Sequence, residues 1–368
     1  MASYHASVHK ALTASQHDLI DHKEHCSADP EKLATIGRAV GHQLRIKRND
    51  SQFALYTVSQ VRQETSEDIV RMGHSGRKRL GTSAEFVATL DSRVPHPTFN
   101  DGEAEANSEF VERLDDDGMH TGLIVIAPHG GDIERHTDQQ AERVASRLKA
   151  KAVSSWRCKG FKEGGGASDR WHITSTDIHE ASFPRLNSVI ARGFTYAVAF
   201  HGFDAPQTHA DVLIGGGAPE SLKQEIKKAI NGALAGSGMT VRIASPDEGY
   251  GGDSPQNIVN RLTAGSANGI QIEQSCRART SHWQDIADAV ADVYRRIPHG
   301  PGGGSWARPR TLELVGGHDR IVVVRVSAND LFRPNQLFMR LEDFASGAGD
   351  KPDCNAARDQ WIEKCVAG

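Results

Sequence analysis

The centre of the chain changes from apolar to polar at one point. Residues 123–127 form an uninterrupted apolar run, which is typical of a short strand buried on both faces. Pro128 ends this run, and the polar turn that follows carries His129 and Glu134. Because open α/β sheets bind ligands beyond the carboxyl ends of their strands, an imidazole and a carboxylate placed here predict a functional site.

Downstream of Gly122, apolar stretches alternate with amphipathic ones, which is typical of a sheet whose strands are connected by helices. The predicted strands cover residues 194–200, 211–214, 240–244 and 270–273. Helices are predicted between these strands and over residues 281–297, where apolar positions recur every three or four residues. The predicted fold class is therefore α/β, with a mostly parallel or mixed sheet and helices on both faces.

Upstream of this region, residues 51–120 favour short strands separated by turns that contain glycine or asparagine. The predicted strands cover residues 53–58, 68–72 and 85–90, and a short helix is predicted over 104–114. Residues 1–50 are polar and charged, with one predicted helix over 30–40, and we expect loose packing there.

Residues 298–305, Pro-His-Gly-Pro-Gly-Gly-Gly-Ser, form a predicted linker. Beyond it, residues 311–315 and 321–326 flank a Gly-Gly-His-Asp turn and predict a β-hairpin. We expect this hairpin to pack on the N-terminal β region, so that a smaller β-rich domain is built from both ends of the chain. The expected division is a polar N-terminal region, a β-rich domain, an α/β domain, a linker and a hairpin with a tail, at residues 1–50, 51–120, 121–297, 298–305 and 306–368.

Length, net charge and cysteine content limit which classes of protein this chain can belong to. The chain has 368 residues, 38% of them hydrophobic, enough for a sizeable core. A formal net charge of -4 indicates neither a nucleic-acid nor a membrane partner, and the basic run Arg77-Lys78-Arg79 is interpreted as a solvated turn. Five cysteines lack a CxxC pair, and the N-terminus lacks the apolar core of a signal peptide, so we expect a cytoplasmic protein.

Three predicted strands end in residues suited to metal catalysis: His129 with Glu134, His201, and Glu273. A hydrolytic zinc ion takes three protein ligands and keeps one position open for water. Two imidazoles and one carboxylate leave the ion a net positive charge, which brings the pKa of bound water to about 7. A second carboxylate can then take the proton from that water. His129, Glu134 and His201 fit the first role, and Glu273 fits the second.

Spacing leaves simpler interpretations open. A His-Gly-Gly sequence often forms only a tight turn, and a histidine that follows a strand is often structural. Glu273 alternates with apolar residues along its strand, and an ion pair with Arg277 or Arg279 is an alternative role for its carboxylate. His136, His172, His179 and His209 do not directly follow an apolar strand, so we expect them to lie outside the metal shell or at the surface.

Four segments, taken in order, resemble the phage-type poly-γ-glutamate hydrolases, whose fold is similar to that of zinc carboxypeptidases. They are IAPHGGDIE, HITST, AFHG and GIQIE, at residues 126–134, 172–176, 199–202 and 269–273. The resemblance covers about residues 120–297. It implies that His129, Glu134 and His201 hold zinc and that Glu273 is the general base.

The expected function is a zinc-dependent hydrolase that cleaves amide bonds of γ-glutamyl or related acidic peptide or small-molecule substrates. Arg277 and Arg279, just past the base strand, are the favoured anchors for a substrate carboxylate, with structural ion pairs as the alternative. The chain carries about 120 residues before the first motif, unlike the compact phage enzymes, which leaves the polymeric substrate open. The alternatives are a zinc acyl-amino-acid deacylase, a cell-wall peptidase, or a non-enzymatic module whose β-rich ends bind a partner.

Overall fold

The computed structural model describes residues 2–64, 66, 68–203, 209–246 and 248–297, together with the backbone of strands at 311–318, 321–327 and 336–340. The chain divides into two compact units, Met1–His299 and Gly300–Gly368. The predicted linker, and the tail beyond residue 340, lie outside the described residues.

Six strands near the N-terminus close into a barrel. They are β1 (Ser3–Lys10), β2 (His25–Ala28), β3 (Gln43–Lys47), β4 (Phe53–Val61), β5 (Ile69–Met72) and β6 (Phe86–Asp91). Their order around the barrel is β1-β5-β2-β4-β3-β6, with β6 pairing back to β1. Alternate side chains point inward: on β6, Ala88 and Leu90 are buried whereas Val87 between them is 65% exposed.

Three short helices connect the barrel strands: α1 (His17–Asp21), α2 (Pro30–Thr35) and α3 (His74–Arg79). Helix α2 begins where predicted, because the Asp29 side chain accepts hydrogen bonds from the amides of Glu31 and Lys32. It ends earlier than predicted, since Gly37 takes a positive φ of 67°.

A seven-stranded sheet follows, in which four neighbouring strands are parallel to one another. The other three strands lie outside these four, one on one side and two on the other. Its strands are β7 (Phe110–Asp115), β8 (Leu123–Gly131), β9 (Ser154–Gly160), β10 (Tyr196–Gly202), β11 (Val212–Gly215), β12 (Val241–Ile243) and β13 (Gly269–Gln274). The order is β12-β11-β13-β10-β8-β9-β7, in which β13, β10, β8 and β9 are parallel neighbours. The sheet is therefore mixed, and the predicted α/β class is confirmed.

The helices of this region are α4 (Asp101–Ala106), α5 (Thr137–Arg147), α6 (Ala167–Trp171), α7 (Pro184–Asn187), α8 (Glu220–Ala233), α9 (Ile258–Arg261), α10 (Cys276–Ser281) and α11 (Trp283–Arg296). Residues from α5, α8 and α11 form a core with one face of the sheet, which we call the three-helix face. The opposite face packs against α6, α7, α9 and Leu55 of barrel strand β4, and we call it the barrel face.

The longest described helices, α8 and α11, have 14 residues each. No described helix has the length and hydropathy of a bilayer-spanning helix.

The barrel is built into the α/β region. Leu55 is fully buried in the same core as Phe110 and Trp171. Arg45 of β3 makes two hydrogen bonds, of 2.8 and 2.9 Å, with the carboxylate of Glu109 just before β7. Apolar burial and a buried ion pair both join the two parts.

Several local expectations differ from the structure. Residues 1–50 contribute three barrel strands, so the expected boundary at residue 50 falls inside one barrel. The helix expected over 104–114 is helix α4 followed by strand β7, because the apolar residues after Asn107 pair with β9. The run Arg77-Lys78-Arg79 ends helix α3, with Arg77 buried, and does not form the expected solvated turn.

The predicted C-terminal hairpin is confirmed: β14 (Thr311–His318) and β15 (Ile321–Ser327) pair antiparallel, and β16 (Gln336–Arg340) extends them into a three-stranded sheet. All six barrel strands come from residues 3–91. The expected packing of the hairpin on the N-terminal region stays a prediction.

Replacing Leu55 with alanine should lower the free energy of unfolding by about 3 kcal/mol, because it empties a site in the core shared by barrel and sheet. Denaturant unfolding followed by circular dichroism measures this. Val61→Ala, on the exposed end of the same strand, is the control and should change the value by less than about 0.5 kcal/mol. Independent unfolding of barrel and sheet in the wild type, or no loss of stability in Leu55→Ala, would contradict the shared core.

Candidate metal centre

The end of β8 carries an irregularity that determines where His129 lies. Along β8, Val125 and Ala127 pack on the three-helix face, while Ile124 and Ile126 pack on the barrel face. Strict alternation would place His129 with Ala127, but the pairing with β9 is irregular between Ala127 and Gly130. His129 instead contacts Ile173, a residue of the barrel-face core. The irregularity therefore turns the imidazole to the opposite face of the sheet.

The two glycines after His129 are required by close packing. A Cβ atom on Gly130 would lie 2.5 Å from the Asp138 Cβ atom, and Gly131 has a positive φ of 69°. The amide of Glu134 then donates a 2.9 Å hydrogen bond to the His129 carbonyl. This tight turn returns the Glu134 side chain to His129.

Three buried side chains converge at this point. The His129 Nδ1 atom lies 3.1 Å from Glu134 Oε1 and 3.2 Å from His201 Nδ1. His201 Nδ1 in turn lies 3.6 Å from Glu134 Oε2. Each of the three residues is less than 8% exposed. The structure thus brings together the three residues that the sequence predicted as metal ligands.

The hydrogen bond made by His129 leaves a lone pair that points into the cluster. His129 Nε2 lies 2.8 Å from the Ile173 carbonyl, which only accepts hydrogen bonds, so Nε2 carries the proton. In neutral His129 the lone pair is then on Nδ1, toward Glu134 and His201. The Nε2 atom of His201 is buried without a hydrogen-bond partner in the described part of the chain.

His172 adds a third imidazole to this region, which the sequence analysis placed outside the metal shell. Its ring centroid lies 4.2 Å from that of His129, and its Nε2 atom lies 4.0 Å from Glu134 Oε1. Ligand atoms of His129, Glu134 and His172 lie within 4.8 Å of one another and could hold a metal ion. With His201, the region offers three imidazoles and one carboxylate.

A carboxylate from the barrel holds the segment that orients His129. Glu24 lies just before β2, and its Oε1 is 2.7 Å from His172 Nδ1. Its Oε2 accepts hydrogen bonds from the amide and the hydroxyl of Thr174, at 3.0 and 3.2 Å. Glu24 is therefore hydrogen-bonded to the residues on both sides of Ile173. The carbonyl of Ile173 in turn fixes the orientation of the His129 ring.

Charge and burial oppose each other within the cluster. Burial disfavours the charged form of Glu134, yet the adjacent His129 and His201 outweigh it and lower the pKa of this carboxyl. Burial likewise opposes protonation of His129, but the charge of Glu134 raises its pKa. For His201, burial prevails and lowers the pKa.

Glu273 lies beside the cluster on the neighbouring strand. It pairs directly with His201 in the parallel ladder of β10 and β13, so both side chains point to the same face. Its Oε1 accepts a 2.9 Å hydrogen bond from Gln271, whose amide oxygen is held by Asn257. Burial, with the charge of Glu134 in addition, raises the pKa of Glu273 well above its ordinary value.

The two predicted substrate arginines occupy different environments. Arg279 is buried, packs against Gly202 and influences the pKa of Glu273 through its charge. Arg277 is exposed on the other side of helix α10 and donates to the Ser237 carbonyl. In the described chain, neither arginine lies within ion-pair distance of Glu273. Only Arg279 is placed beside the cluster.

The sequence of this region also matches a known family. A sequence profile described as poly-gamma-glutamate hydrolase matches residues 102–291, just over half of the chain. The chain belongs to the poly-gamma-glutamate hydrolase family. This confirms the resemblance predicted from the four ordered motifs, and the family segment contains the whole His129, Glu134, His201 and Glu273 arrangement. The barrel precedes the family segment.

Individual proteins are also similar to parts of this chain. The SPbeta prophage-derived UPF0714 protein YoqZ of Bacillus subtilis (strain 168) is 27% identical over 157 residues, which are 43% of this chain and 50% of YoqZ. The chain thus spans about half the length of this curated relative. A bacteriophage poly-gamma-glutamate hydrolase structure covers 50% of this chain and 88% of its own, at 25% identity and a TM-score of 0.38. The zinc-free apo structure of YNDL covers 53% and 95%, at 22% identity and a TM-score of 0.40.

Sequence reasoning missed the supporting residues Glu24 and Gln271, and it placed His172 outside the metal shell. Gln271 carried a usable signal, because it lies two residues before Glu273 and therefore on the same face of the strand. Glu24 carried none, since 148 positions separate it from His172.

Substituting Glu24 tests how much its hydrogen bonds with His172 and Thr174 contribute to stability. Burial opposes the Glu24 charge, but the hydrogen bond and charge of His172 prevail and lower the pKa of Glu24 to about 2. A carboxyl with a lowered pKa stabilises the fold above its unfolded pKa and loses that contribution as pH falls through the folded value. The stability difference between wild type and Glu24→Gln should therefore shrink by about 3 kcal/mol from pH 5 to pH 2.

The measurement is urea unfolding at each pH, with the exposed Glu31→Gln as a control that should follow the wild type throughout. A stability difference for Glu24→Gln that is constant over this range would show that the Glu24 charge does not hold the segment.

Proposed function

We propose that this protein is a zinc-dependent hydrolase that cleaves amide bonds in γ-glutamyl polymers or related acidic peptides. The observation that carries the proposal is the convergence of His129, Glu134 and His201 beside Glu273 at one end of the sheet. Membership of the poly-gamma-glutamate hydrolase family supports the same reaction and substrate class.

The spacing of the three side chains fits zinc. Zinc bonds of about 2.0–2.1 Å place tetrahedral ligand atoms about 3.3–3.4 Å apart. The separations among His129 Nδ1, His201 Nδ1 and the Glu134 carboxylate are 3.1, 3.2 and 3.6 Å. The Ile173 carbonyl fixes the tautomer of His129 in the way that partners of metal-binding histidines usually do. These three residues would hold the ion, which supplies a Lewis acid for the scissile carbonyl and for a water molecule.

Glu273 moves the proton in this proposal. As a carboxylate it takes a proton from the attacking water, and its raised pKa then keeps the proton available for the departing amine. Gln271 holds one carboxylate oxygen at 2.9 Å and so fixes the orientation of the group. Arg279, beside Gly202, is the arginine placed to attract the carboxylate of an acidic substrate.

Replacing Glu273 with glutamine should lower kcat on a γ-glutamyl polymer about 10²- to 10⁴-fold, because the amide cannot accept the proton from water. Zinc content should stay at the wild-type level. Chain shortening and bound metal are both measured on the purified protein, with Glu225→Gln on the exposed side of α8 as the matched control. Unchanged turnover would remove Glu273 as the base, and a panel of acyl-amino-acid and cell-wall peptide substrates would then test the alternatives.

Zinc should stabilise the folded chain, because the unfolded chain has no preformed site. Free zinc at 100 times its dissociation constant should add about 2.7 kcal/mol to the free energy of unfolding, and a chelator should remove this increment. His201→Gln should weaken zinc binding at least about 100-fold, since even outer partners of metal ligands contribute about 10- to 100-fold. Identical melting of the chelated and zinc-loaded proteins would contradict the metal site.

A further inference from the structure

The basic run Arg77-Lys78-Arg79, which the catalytic arrangement does not use, lies at a cavity between the barrel and the α/β region. This cavity, of about 280 Å³, is lined from the barrel by Lys78 and Arg79 and from the α/β region by Lys162 and Arg170. We call it the seam cavity. Its one lining carboxylate, Asp169, is 67% exposed and already pairs with Lys23 at 2.7 Å.

The four cations of the seam cavity form no direct ion pair with a carboxylate in the described chain. Arg79 donates to the carbonyls of Leu55 and Asp169, and its buried Nη2 atom has no described hydrogen-bond partner. Burial lowers the pKa of Arg170, and the nearby charge of Arg45 adds to this effect. Since the whole chain has a net charge of -4, this is a local excess of positive charge.

Both guanidinium groups are held rigidly on aromatic rings. Arg79 lies 4.7 Å from the centre of the Tyr56 ring, and Arg170 lies 4.1 Å from that of Phe53. Of these two rings only Phe53 lines the cavity, and Arg170 covers the face on which a nucleic-acid base would otherwise stack. The arrangement favours a flexible polymer of carboxylates over a single-stranded nucleic acid.

The seam cavity adjoins the candidate metal centre along two segments. On the barrel side, Lys23 pairs with Asp169 while the next residue, Glu24, holds His172. On the α/β side, Arg170 is followed two positions later by His172, whose ring contacts His129. On both segments, a cation at the seam cavity and a residue at the candidate metal centre are therefore only one or two positions apart in the chain.

We propose that the seam cavity binds the free carboxylates of an acidic polymer substrate beyond the bond that is cleaved. This rests on the proposed function, in which a γ-linked glutamyl chain carries one free α-carboxylate for each residue. Several cations engage such a chain at once, so the polymer gains affinity that free glutamate does not have. The barrel thereby supplies part of the substrate site.

The test measures binding of fluorescently labelled poly-γ-glutamate to the full chain carrying Glu273→Gln, so that the polymer is not cut. Adding Lys78→Gln with Lys162→Gln should raise Kd about fivefold and weaken its dependence on salt concentration. The matched control is Lys227→Gln with Lys228→Gln on α8, which removes the same charge on the three-helix face and should leave Kd unchanged. In the active protein, the Lys78 and Lys162 changes should raise KM for the polymer with kcat within twofold.

Each outcome decides one point. Equal effects of the two double variants, or no effect of either, would overturn the seam cavity as a polymer site. Stronger competition by single-stranded DNA of equal charge than by unlabelled polymer would overturn the carboxylate assignment. Loss of hydrolysis on every γ-glutamyl substrate, with polymer binding and its dependence on Lys78 and Lys162 intact, would refute the proposed function and leave the seam cavity standing.

Discussion

The structure depends on keeping two carboxylates, Glu134 and Glu273, buried close together at one end of the sheet. Burial disfavours the charge of both groups, and each carboxylate disfavours the charge of the other. The imidazoles of His129 and His201 resolve this conflict for Glu134 alone, so the two carboxyls have pKa values shifted in opposite directions. In active sites, a separation of pKa values between neighbouring acids gives the two groups different roles, and this agrees with the roles proposed above for Glu134 and Glu273.

The barrel takes part in maintaining this arrangement. Glu24 of the barrel region is hydrogen-bonded to His172 and Thr174, in the segment that fixes the His129 ring. Leu55 of the barrel belongs to the core on the barrel face of the sheet. The family segment begins at residue 102, so these contacts come from a part of the chain that the family profile does not cover. The N-terminal extension is therefore integrated with the hydrolase fold and is not a module joined by a flexible connection.

The sequence predicted the strand ends that carry His129, His201 and Glu273, because buried parallel strands leave a strong apolar signal and their carboxyl ends meet at one edge. It predicted a small β-rich domain after residue 50 but not the strands that residues 1–50 add to the barrel, because β1 buries only two of its eight residues and β2 has only four residues. The face on which His129 lies was also beyond prediction, because it depends on an irregular pairing between β8 and β9. Arg277 and Arg279 were equivalent in the sequence, and only the helix that carries them separates their directions.

The position of the barrel within the chain has a consequence for biosynthesis. All six barrel strands lie within residues 3–91 and are therefore synthesised before any residue of the candidate metal centre. N-terminal domains generally fold first during synthesis. The partners of Glu24, His172 and Thr174, are added about 150 residues later than Glu24 itself. The order of translation thus gives the later α/β strands an already synthesised barrel to pack against.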